Sequence, residues 1–287
     1  MAPAVLISAK DPSARATPAL RANGRAPTGE LGSEERKQSV VELLASAGCV
    51  AADEEADELL EAASDDATLD EWIRRRQSGE PLAWITGALR FCDRTLRIDP
   101  GVYVPRQQSE ALARRAAGRL ESLPGRAADI CTGAGAIAAH LMAEVPSAKV
   151  VGVDVDARAV ACARRNGVQA ALGDLAGPLR SRSFDVVTVV APYVPTGELR
   201  LLPADVQRFE PRVALDGGRD GLDLVRRAVD SAARLLRPGG WLLVELGGRQ
   251  DEYSRAYLSE AGFSRISTWH DEDGDLRGLE ARLPERH

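Results

Sequence analysis

Lysine is almost missing from this 287-residue chain: Lys10, Lys37 and Lys149 stand alone, and the other 34 of its 37 basic residues are arginine. With no lysine after residue 149, a mechanism that needs one in the second half is excluded. Histidine is as scarce, and His140, His270 and His287 lie too far apart to form a local metal-ligand motif. The four cysteines, Cys49, Cys92, Cys131 and Cys162, contain no C-x-x-C pair, and a chain this long does not need disulfides. Free thiols in a reducing, cytoplasmic setting are expected. No charge-free apolar run approaches the roughly 18 residues of a membrane span; the longest candidate, from Ile130 to Ala143, is broken by Thr132, two glycines and His140. A positive excess is lacking too. The 43 acidic residues leave a formal charge of −6, too acidic for a chain that binds phosphates along its length. Arg74-Arg75-Arg76 has no interleaved aromatics for base stacking and reads as the basic end of a helix. Neither a membrane nor direct nucleic-acid binding is expected.

What is present suffices for a sizeable core and more than one region. Residues 1–32 are rich in Ala, Pro, Arg and Ser without hydrophobic periodicity and read as a disordered tail. Over 33–78, Val40, Leu43 and Leu44, then Leu59, Leu60 and Ala63, then Leu69, Trp72 and Ile73 recur at helical spacing, which predicts a small N-terminal helical domain. Residues 79–107 read as a β-hairpin linker: Gly79-Glu80-Pro81-Leu82 breaks the helical pattern, and Phe91–Val104 alternates around a turn at Asp99-Pro100-Gly101. Residues 108–287 make the main domain. A helix from Ser109 puts Leu112, Ala116, Leu120 and Leu123 on one face. Strands at Ala127–Cys131, Lys149–Val153, Val168–Ala171, Asp185–Val190 and Trp241–Glu245 then alternate with helices, the signature of an α/β fold with a mostly parallel sheet. Ser264–His270 and Leu276–Leu283 flank an acidic turn and add an antiparallel hairpin.

Chemistry collects at the strand ends. Asp129-Ile130-Cys131-Thr132-Gly133-Ala134-Gly135 joins the first strand to its helix, and its glycines let the backbone turn sharply and approach a ligand. Asp154 ends the second strand 19 residues beyond Gly135, the place from which a carboxylate accepts both ribose hydroxyls. Asp174-Leu175 follows the third strand, placed to meet an adenine amino group and the face of its ring. A helix cap would explain one of these carboxylates but not three coordinated strand ends.

Two adenosine cofactors fit. A nicotinamide dinucleotide calls for a proton relay such as Tyr with Lys, or a catalytic His, and His140 falls inside a helix, as a packed or surface side chain. S-Adenosyl-L-methionine needs no relay, because a sulfonium passes its methyl in one displacement and the protein mainly positions donor and acceptor. It is the expected cofactor, held by Asp129, Cys131, Thr132, Gly133, Ala134, Gly135, Asp154, Asp174, Leu175 and Val190, with no metal.

Over residues 35–284 the chain resembles the N(5)-glutamine methyltransferases of peptide-chain release factors, the PrmC/HemK family. Gly79-Glu80-Pro81-Leu82 with Ile85-Thr86-Gly87, then Ile98-Asp99-Pro100-Gly101-Val102 with Pro105-Arg106, and the Asp129–Ile137 loop carry the likeness. The most specific stretch is Phe209-Glu210-Pro211-Arg212-Val213-Ala214-Leu215-Asp216-Gly217-Gly218-Arg219-Asp220-Gly221-Leu222. The resemblance implies a Rossmann-like class I S-adenosylmethionine-dependent methyltransferase with a seven-stranded sheet, a C-terminal antiparallel hairpin and a small N-terminal helical domain. It also implies release factors as the protein partner and substrate, with Val190, Ala191, Pro192 and Tyr193 catalytic and Arg106 joining those four in substrate binding. A monomer is expected.

This chain departs from that family at the catalytic loop. Relatives carry Asn-Pro-Pro-Tyr where it has Val190-Ala191-Pro192-Tyr193. The Asn oxygen and the next carbonyl are taken to hold the hydrogens of the substrate amide, while Tyr packs on the amide plane. Val190 has no side-chain acceptor, whereas Ala191 keeps its carbonyl and Tyr193 its ring. Gln107-Gln108-Ser109 stands in place of Pro-Glu-Thr, and either glutamine could take over the clamp. The alternatives are a methyltransferase for another protein amide or a small molecule, and a catalytically degenerate relative that binds cofactor or partner.

Overall fold

The computed structural model describes residues 32–123 and 125–285; apart from Gly32, the expected tail lies outside them. Three helices open the described chain: α1 (Ser33–Ser46), α2 (Ala52–Ala62) and α3 (Asp66–Gln77). The last is started by Asp65, whose carboxylate accepts from the Thr68 amide at 2.8 Å. The periodic residues do what their spacing predicts, as Val40, Leu44, Leu59, Leu69 and Ile73 pack in one core with Ile85 of the short α4 (Leu82–Thr86). In the arginine run ending α3, Arg75 pairs with Glu80 at 2.5 Å and Arg76 with Glu55 at 2.6 Å. Arg74 pairs with Glu71 at 2.8 Å, so all three cations are engaged inside this unit.

The expected hairpin lies earlier than its sequence pattern placed it. β1 (Ala88–Phe91) and β2 (Arg94–Arg97) are joined by Cys92-Asp93, both with positive φ, 46° and 60°. That is the backbone of a two-residue hairpin turn, built here without the glycine that would have announced it. Asp99-Pro100-Gly101 forms a separate turn after β2, closed by Val102 N–H to the Asp99 carbonyl at 3.1 Å.

From there helices and strands alternate: α5 (Glu110–Glu121), β3 (Arg126–Ile130), α6 (Ala136–Glu144), β4 (Lys149–Asp154), α7 (Ala157–Arg165), β5 (Ala170–Leu172), β6 (Phe184–Val189), α8 (Ala204–Phe209), α9 (Asp223–Leu235), β7 (Leu236–Glu245), α10 (Gln250–Glu260), β8 (Ser264–His270) and β9 (Leu276–Arg282). Two compact units result. One holds Leu89–Leu202 and the chain from Glu210 onward; the other holds the helices up to Ala88 together with Pro203–Phe209. Inside the second unit, Trp84 meets Phe209 edge-on with ring centroids 6.4 Å apart.

The large unit is built on a seven-stranded sheet ordered β5-β4-β3-β6-β7-β9-β8, parallel from β5 to β7 and antiparallel through β9 and β8. β6 is buried along its whole length and β3 in all but its first residue, as strands covered by helices on both faces must be. Successive crossovers run outward from β3 to β4 and β5, and the chain then returns to the other side of β3 as β6. The carboxyl ends of β3 and β6 therefore part at a topological switch point, where open α/β sheets bind ligands.

Trp241 serves this packing. The Arg119 guanidinium of α5 lies 3.9 Å from its ring centroid and also pairs with Glu280 of β9 at 2.7 Å, while Ser267 of β8 donates to the same carboxylate at 3.2 Å. Glu280 is 5 % exposed, and although burial works to raise its carboxyl, Arg119 holds it below the ordinary carboxylate range. A depressed folded-state pKa contributes stability at neutral pH that is lost as pH falls through the acid range. Arg119→Ala should lower unfolding free energy at pH 7 by about 1–3 kcal/mol, part of the buried-pair cost because the arginine is partly exposed. The deficit should shrink toward pH 4, as read by denaturant titration at both pH values.

Candidate active site

The loop after β3 is shaped from within. Asp129, 2 % exposed, accepts the Thr132 hydroxyl at 2.6 Å and the Thr188 hydroxyl of β6 at 2.7 Å. Burial pushes its carboxyl up to about 6 against the pull of these two hydroxyls. Both oxygens are thus committed to the protein, and Asp129 builds the loop instead of facing an opening. Thr132 is buried with it, and Ala134 is 1 % exposed. Gly135 starts α6 at φ 82°, where a Cβ would come within 2.9 Å of Val168 and 3.1 Å of Ala163, so no other residue turns the chain there. At Gly133 a Cβ would meet nothing within 4 Å; this stretch of backbone lies open to a ligand. Cys131 also has positive φ, and burial, with Asp154 and Asp129 nearby, pushes its thiol up, which keeps it protonated.

Asp154 ends β4 beside this loop. One of its oxygens accepts the Gly133 amide at 2.8 Å and the other the Asp156 amide at 2.9 Å. Burial raises its pKa while these amides oppose the shift, and each oxygen keeps acceptor capacity for a further donor. The helix cap is Asp156, which takes the Arg158 amide at 2.8 Å. Asp174 follows β5 on the exposed side and pairs with Arg227 at 2.6 Å, both side chains more than half exposed. Such a pair is worth little and exchanges easily. Leu175, expected against an adenine ring, is instead 7 % exposed and packed in the core that includes Ile130, Val189 and Ala191. The apolar surface at this rim comes from two residues the sequence reading missed: Val155, next to Asp154, and Leu172, its partner in the β4–β5 register, are 61 % and 57 % exposed. Two large apolar side chains left in water beside a carboxylate are the signal.

The loop after β6 stands on the opposite side of the β3 loop. Val190 is half-buried, Ala191 and Pro192 are buried, and Tyr193 is partly exposed. The Tyr193 hydroxyl accepts from Gln108 Nε2 at 2.7 Å and donates to Glu245 Oε1 at 3.2 Å, and Gln108 Nε2 donates to the same oxygen at 3.0 Å. Ser109 donates to Glu245 Oε2 at 2.5 Å, and Arg277 Nη1 to Gln108 Oε1 at 3.2 Å. Burial raises Glu245 and drives the Tyr193 phenol well above its ordinary value. Behind the loop, Gln250 Nε2 donates to the Tyr193 carbonyl at 2.8 Å, and Gly221, at φ 77°, passes so close that a Cβ would overlap that carbonyl. The 209–222 stretch is the buttress of this loop, bonded to it from Leu215 and Gly217 through Val194. Arg106 pairs with the buried Glu210 and lies 5.1 Å over the Tyr103 ring. Gln107 is exposed.

Val190, Ala191, Pro192, Tyr193 and Gln108 are thus gathered at one strand end, with Gly133 and Asp154 at the next two. His140 is buried in α6, lowered by burial, and lines a groove of about 580 Å³ with Cys92, Arg114 and Glu144, none of them in these loops. All four cysteines are free. Among the described residues no cluster suits a metal ion, and no helix is long and apolar enough to cross a membrane.

The sheet order and strand-end loops define the class, a Rossmann-like class I S-adenosylmethionine-dependent methyltransferase. A methyltransferase domain model matches residues 127–209. The catalytic domain of hMettl16, solved with an RNA hairpin of the MAT2A 3′UTR, superposes at a TM-score of 0.52 with 15 % identity over 66 % of this chain and 76 % of that one, a likeness of fold. The release factor glutamine methyltransferase of Geobacter sulfurreducens is 40 % identical over 219 residues, 74 % of this chain and 76 % of the relative. That of Salmonella typhimurium is 35 % identical over 71 % and 76 %. A 4-amino-L-phenylalanine/4-methylamino-L-phenylalanine methyltransferase of Streptomyces pristinaespiralis is 38 % identical over 62 % of this chain and 65 % of its own length. The chain belongs to the release factor glutamine methyltransferase family.

Asp129 gives this site a pH signature. Its folded pKa of about 6 lies above the unfolded value, so between about pH 4 and 6 the fold holds a proton that the unfolded chain has released. Its contribution to stability therefore falls as pH rises through that window. Asp129→Asn should remove the slope. In unfolding titrations at pH 4.5 and 7, the parent's stability relative to the variant should fall by about 1–3 kcal/mol; an unchanged difference would contradict the assignment.

Proposed function

We propose that the protein transfers the methyl group of S-adenosylmethionine to the N5 of a glutamine side chain in peptide-chain release factors. The acceptor is inferred from family membership. The observation that carries the chemistry is the meeting of an open glycine backbone, an oriented carboxylate and a tyrosine-bearing loop at three neighbouring strand ends.

The residues suit the cofactor. Asp154 keeps lone pairs for ribose hydroxyls, Gly133 leaves its backbone uncovered, and Val155 and Leu172 offer apolar surface to a ring beside Asp174. When bound, S-adenosylmethionine supplies an electrophilic methyl. The chain's own residues orient the acceptor: the Tyr193 ring packs on the amide plane and the Ala191 carbonyl takes one amide hydrogen, while Arg106, held by Glu210, lies over Tyr103. Val190 supplies no second acceptor. One positioned polar group commonly contributes a factor of about 10²–10³ in rate.

A second reading rests on that valine and on the S. pristinaespiralis relative, named for an arylamine substrate. An aromatic amine has a flat apolar ring to lay against Val190 and Tyr193, and its nitrogen lone pair, free of a carbonyl's pull, depends less on a polar clamp than an amide's does.

Two outcomes are expected. Asp154→Ala should weaken S-adenosylmethionine binding by about 1.5–3 kcal/mol, measured calorimetrically; equal affinity in parent and variant would remove Asp154 from the site. With release factor and labelled methyl donor, Val190→Asn should raise the transfer rate by up to about 10²–10³. A parent that labels an aromatic amine, and not the release factor glutamine, would establish the second reading.

A further inference from the structure

We propose that Asn166, at the end of α7, is a positioning residue for the cofactor: its side-chain amide fixes the peptide between Ala134 and Gly135 and so keeps the glycine loop in its binding shape. The inference rests on the reading of that loop and Asp154 as the S-adenosylmethionine site.

Three backbone groups on two other segments meet this one amide. Asn166 Oδ1 accepts the Arg97 N–H of β2 at 2.8 Å, and Nδ2 donates to the Arg97 carbonyl and to the Ala134 carbonyl, both at 2.9 Å. A primary amide brings an acceptor oxygen and two N–H donors, and each is matched. Cys162, one turn earlier on α7, adds its thiol to the Arg97 carbonyl at 3.3 Å. Asn166 followed by Gly167, with a φ of 81°, has the form of an ordinary helix end, but the side chain does not turn back on its own helix. Its partners lie 69 and 32 residues away in the sequence.

What the amide does for the loop follows from peptide geometry. In a trans peptide the C=O and N–H point opposite ways. Asn166 holds the Ala134 carbonyl, and the N–H of the same peptide, on Gly135, donates to the Thr132 carbonyl at 2.8 Å. The plane is therefore held at both edges. On the other side of Gly133, its own N–H is held by Asp154 at 2.8 Å. The open stretch at Gly133 is thus flanked by two peptides of fixed orientation. Removing Nδ2 leaves the carbonyl of the buried Ala134 without this donor and frees one edge of its peptide. A loop that holds its binding shape for only part of the time binds in proportion to that fraction.

Asn166→Ala removes all three bonds, and Asn166→Asp keeps the shape but turns oxygen in place of nitrogen toward two carbonyls. Arg165→Ala breaks the neighbouring ion pair with Asp99 and leaves the amide in place, so it serves as the control. By calorimetry at neutral pH, well below each melting temperature, S-adenosylmethionine affinity should fall about tenfold in Asn166→Ala and at least as much in Asn166→Asp. Arg165→Ala should stay within about twofold of the parent. With release factor as acceptor and saturating cofactor, kcat of Asn166→Ala should stay within about threefold of the parent, because a filled site already holds the loop in its binding shape. A general loosening of the fold would not divide KM from kcat in this way. A second arm needs no cofactor. In protein carrying ¹³C-carbonyl alanine and ¹⁵N-glycine, the Ala134–Gly135 peptide gives its own signal, assigned by its loss in Ala134→Ser. That signal should move in both Asn166 variants and not in Arg165→Ala. Parent-like affinity in Asn166→Asp, or an unmoved peptide signal, overturns the proposal. A parent that binds no S-adenosylmethionine defeats the cofactor reading alone, since the peptide signal then decides on the loop.

Discussion

The site depends on one buried carboxylate. Asp129 sits in the central strand with Gly152 of β4 and Thr188 of β6 as register partners, and its two oxygens hold a hydroxyl from the loop on one side and a hydroxyl from β6 on the other. A parallel strand buried on both faces offers few polar groups, so a charge here has to be met inside the protein or be costly. Meeting it with Thr132 and Thr188 joins the turn that carries the open backbone to the strand that carries the Tyr193 loop. Gly133 then reaches Asp154, and the three strand ends acquire fixed positions relative to one another.

The two halves of the crevice are held by different means. On the β4–β5 side the groups are loosely engaged: Asp154 has capacity to spare, Asp174 is in a surface ion pair, and Val155 and Leu172 are exposed. Such a surface can be covered by a ligand that arrives and leaves with each turnover. On the β6–β7 side the Tyr193 hydroxyl, Gln108 and Glu245 are already bonded to one another, and the backbone is pinned by Gln250 and the close pass at Gly221. Rigidity there suits a group whose task is to hold a planar acceptor in one orientation.

Much of this was legible in the residues. Strand–helix alternation, the glycine loop and the acid at the end of β4 each rest on a local rule, hydrophobic period or chain reversal, and so could be read without knowing what lies across the fold. The hairpin turn at Cys92-Asp93 escaped because its positive φ values are borne by non-glycine residues. Asp129 and Leu175 looked like ligand contacts because they stand in a loop motif, and burial, a property of the whole sheet, turned them inward. The Gln108–Tyr193–Glu245 triangle joins positions up to 137 residues apart, and no local pattern announces a contact of that span. Val155 was overlooked because an apolar residue after a strand is ordinary until its exposure is known.

The excursion at Pro203–Phe209 bears on how such a chain can be inherited. After Leu202 the sequence leaves the methyltransferase unit, contributes Phe209 to Trp84 and an Arg208 hydrogen bond to the Ser78 carbonyl at 3.1 Å, and re-enters at the buried Glu210. The helical unit is therefore completed by seven residues from the middle of the sequence. A recombination event with a single junction near Ala88 would separate Trp84 from the ring it packs against and leave α8 with no native neighbour. The helical unit and the 203–209 insertion have to be exchanged together or not at all, so sequence drift in one is answerable to the other although more than a hundred residues lie between them.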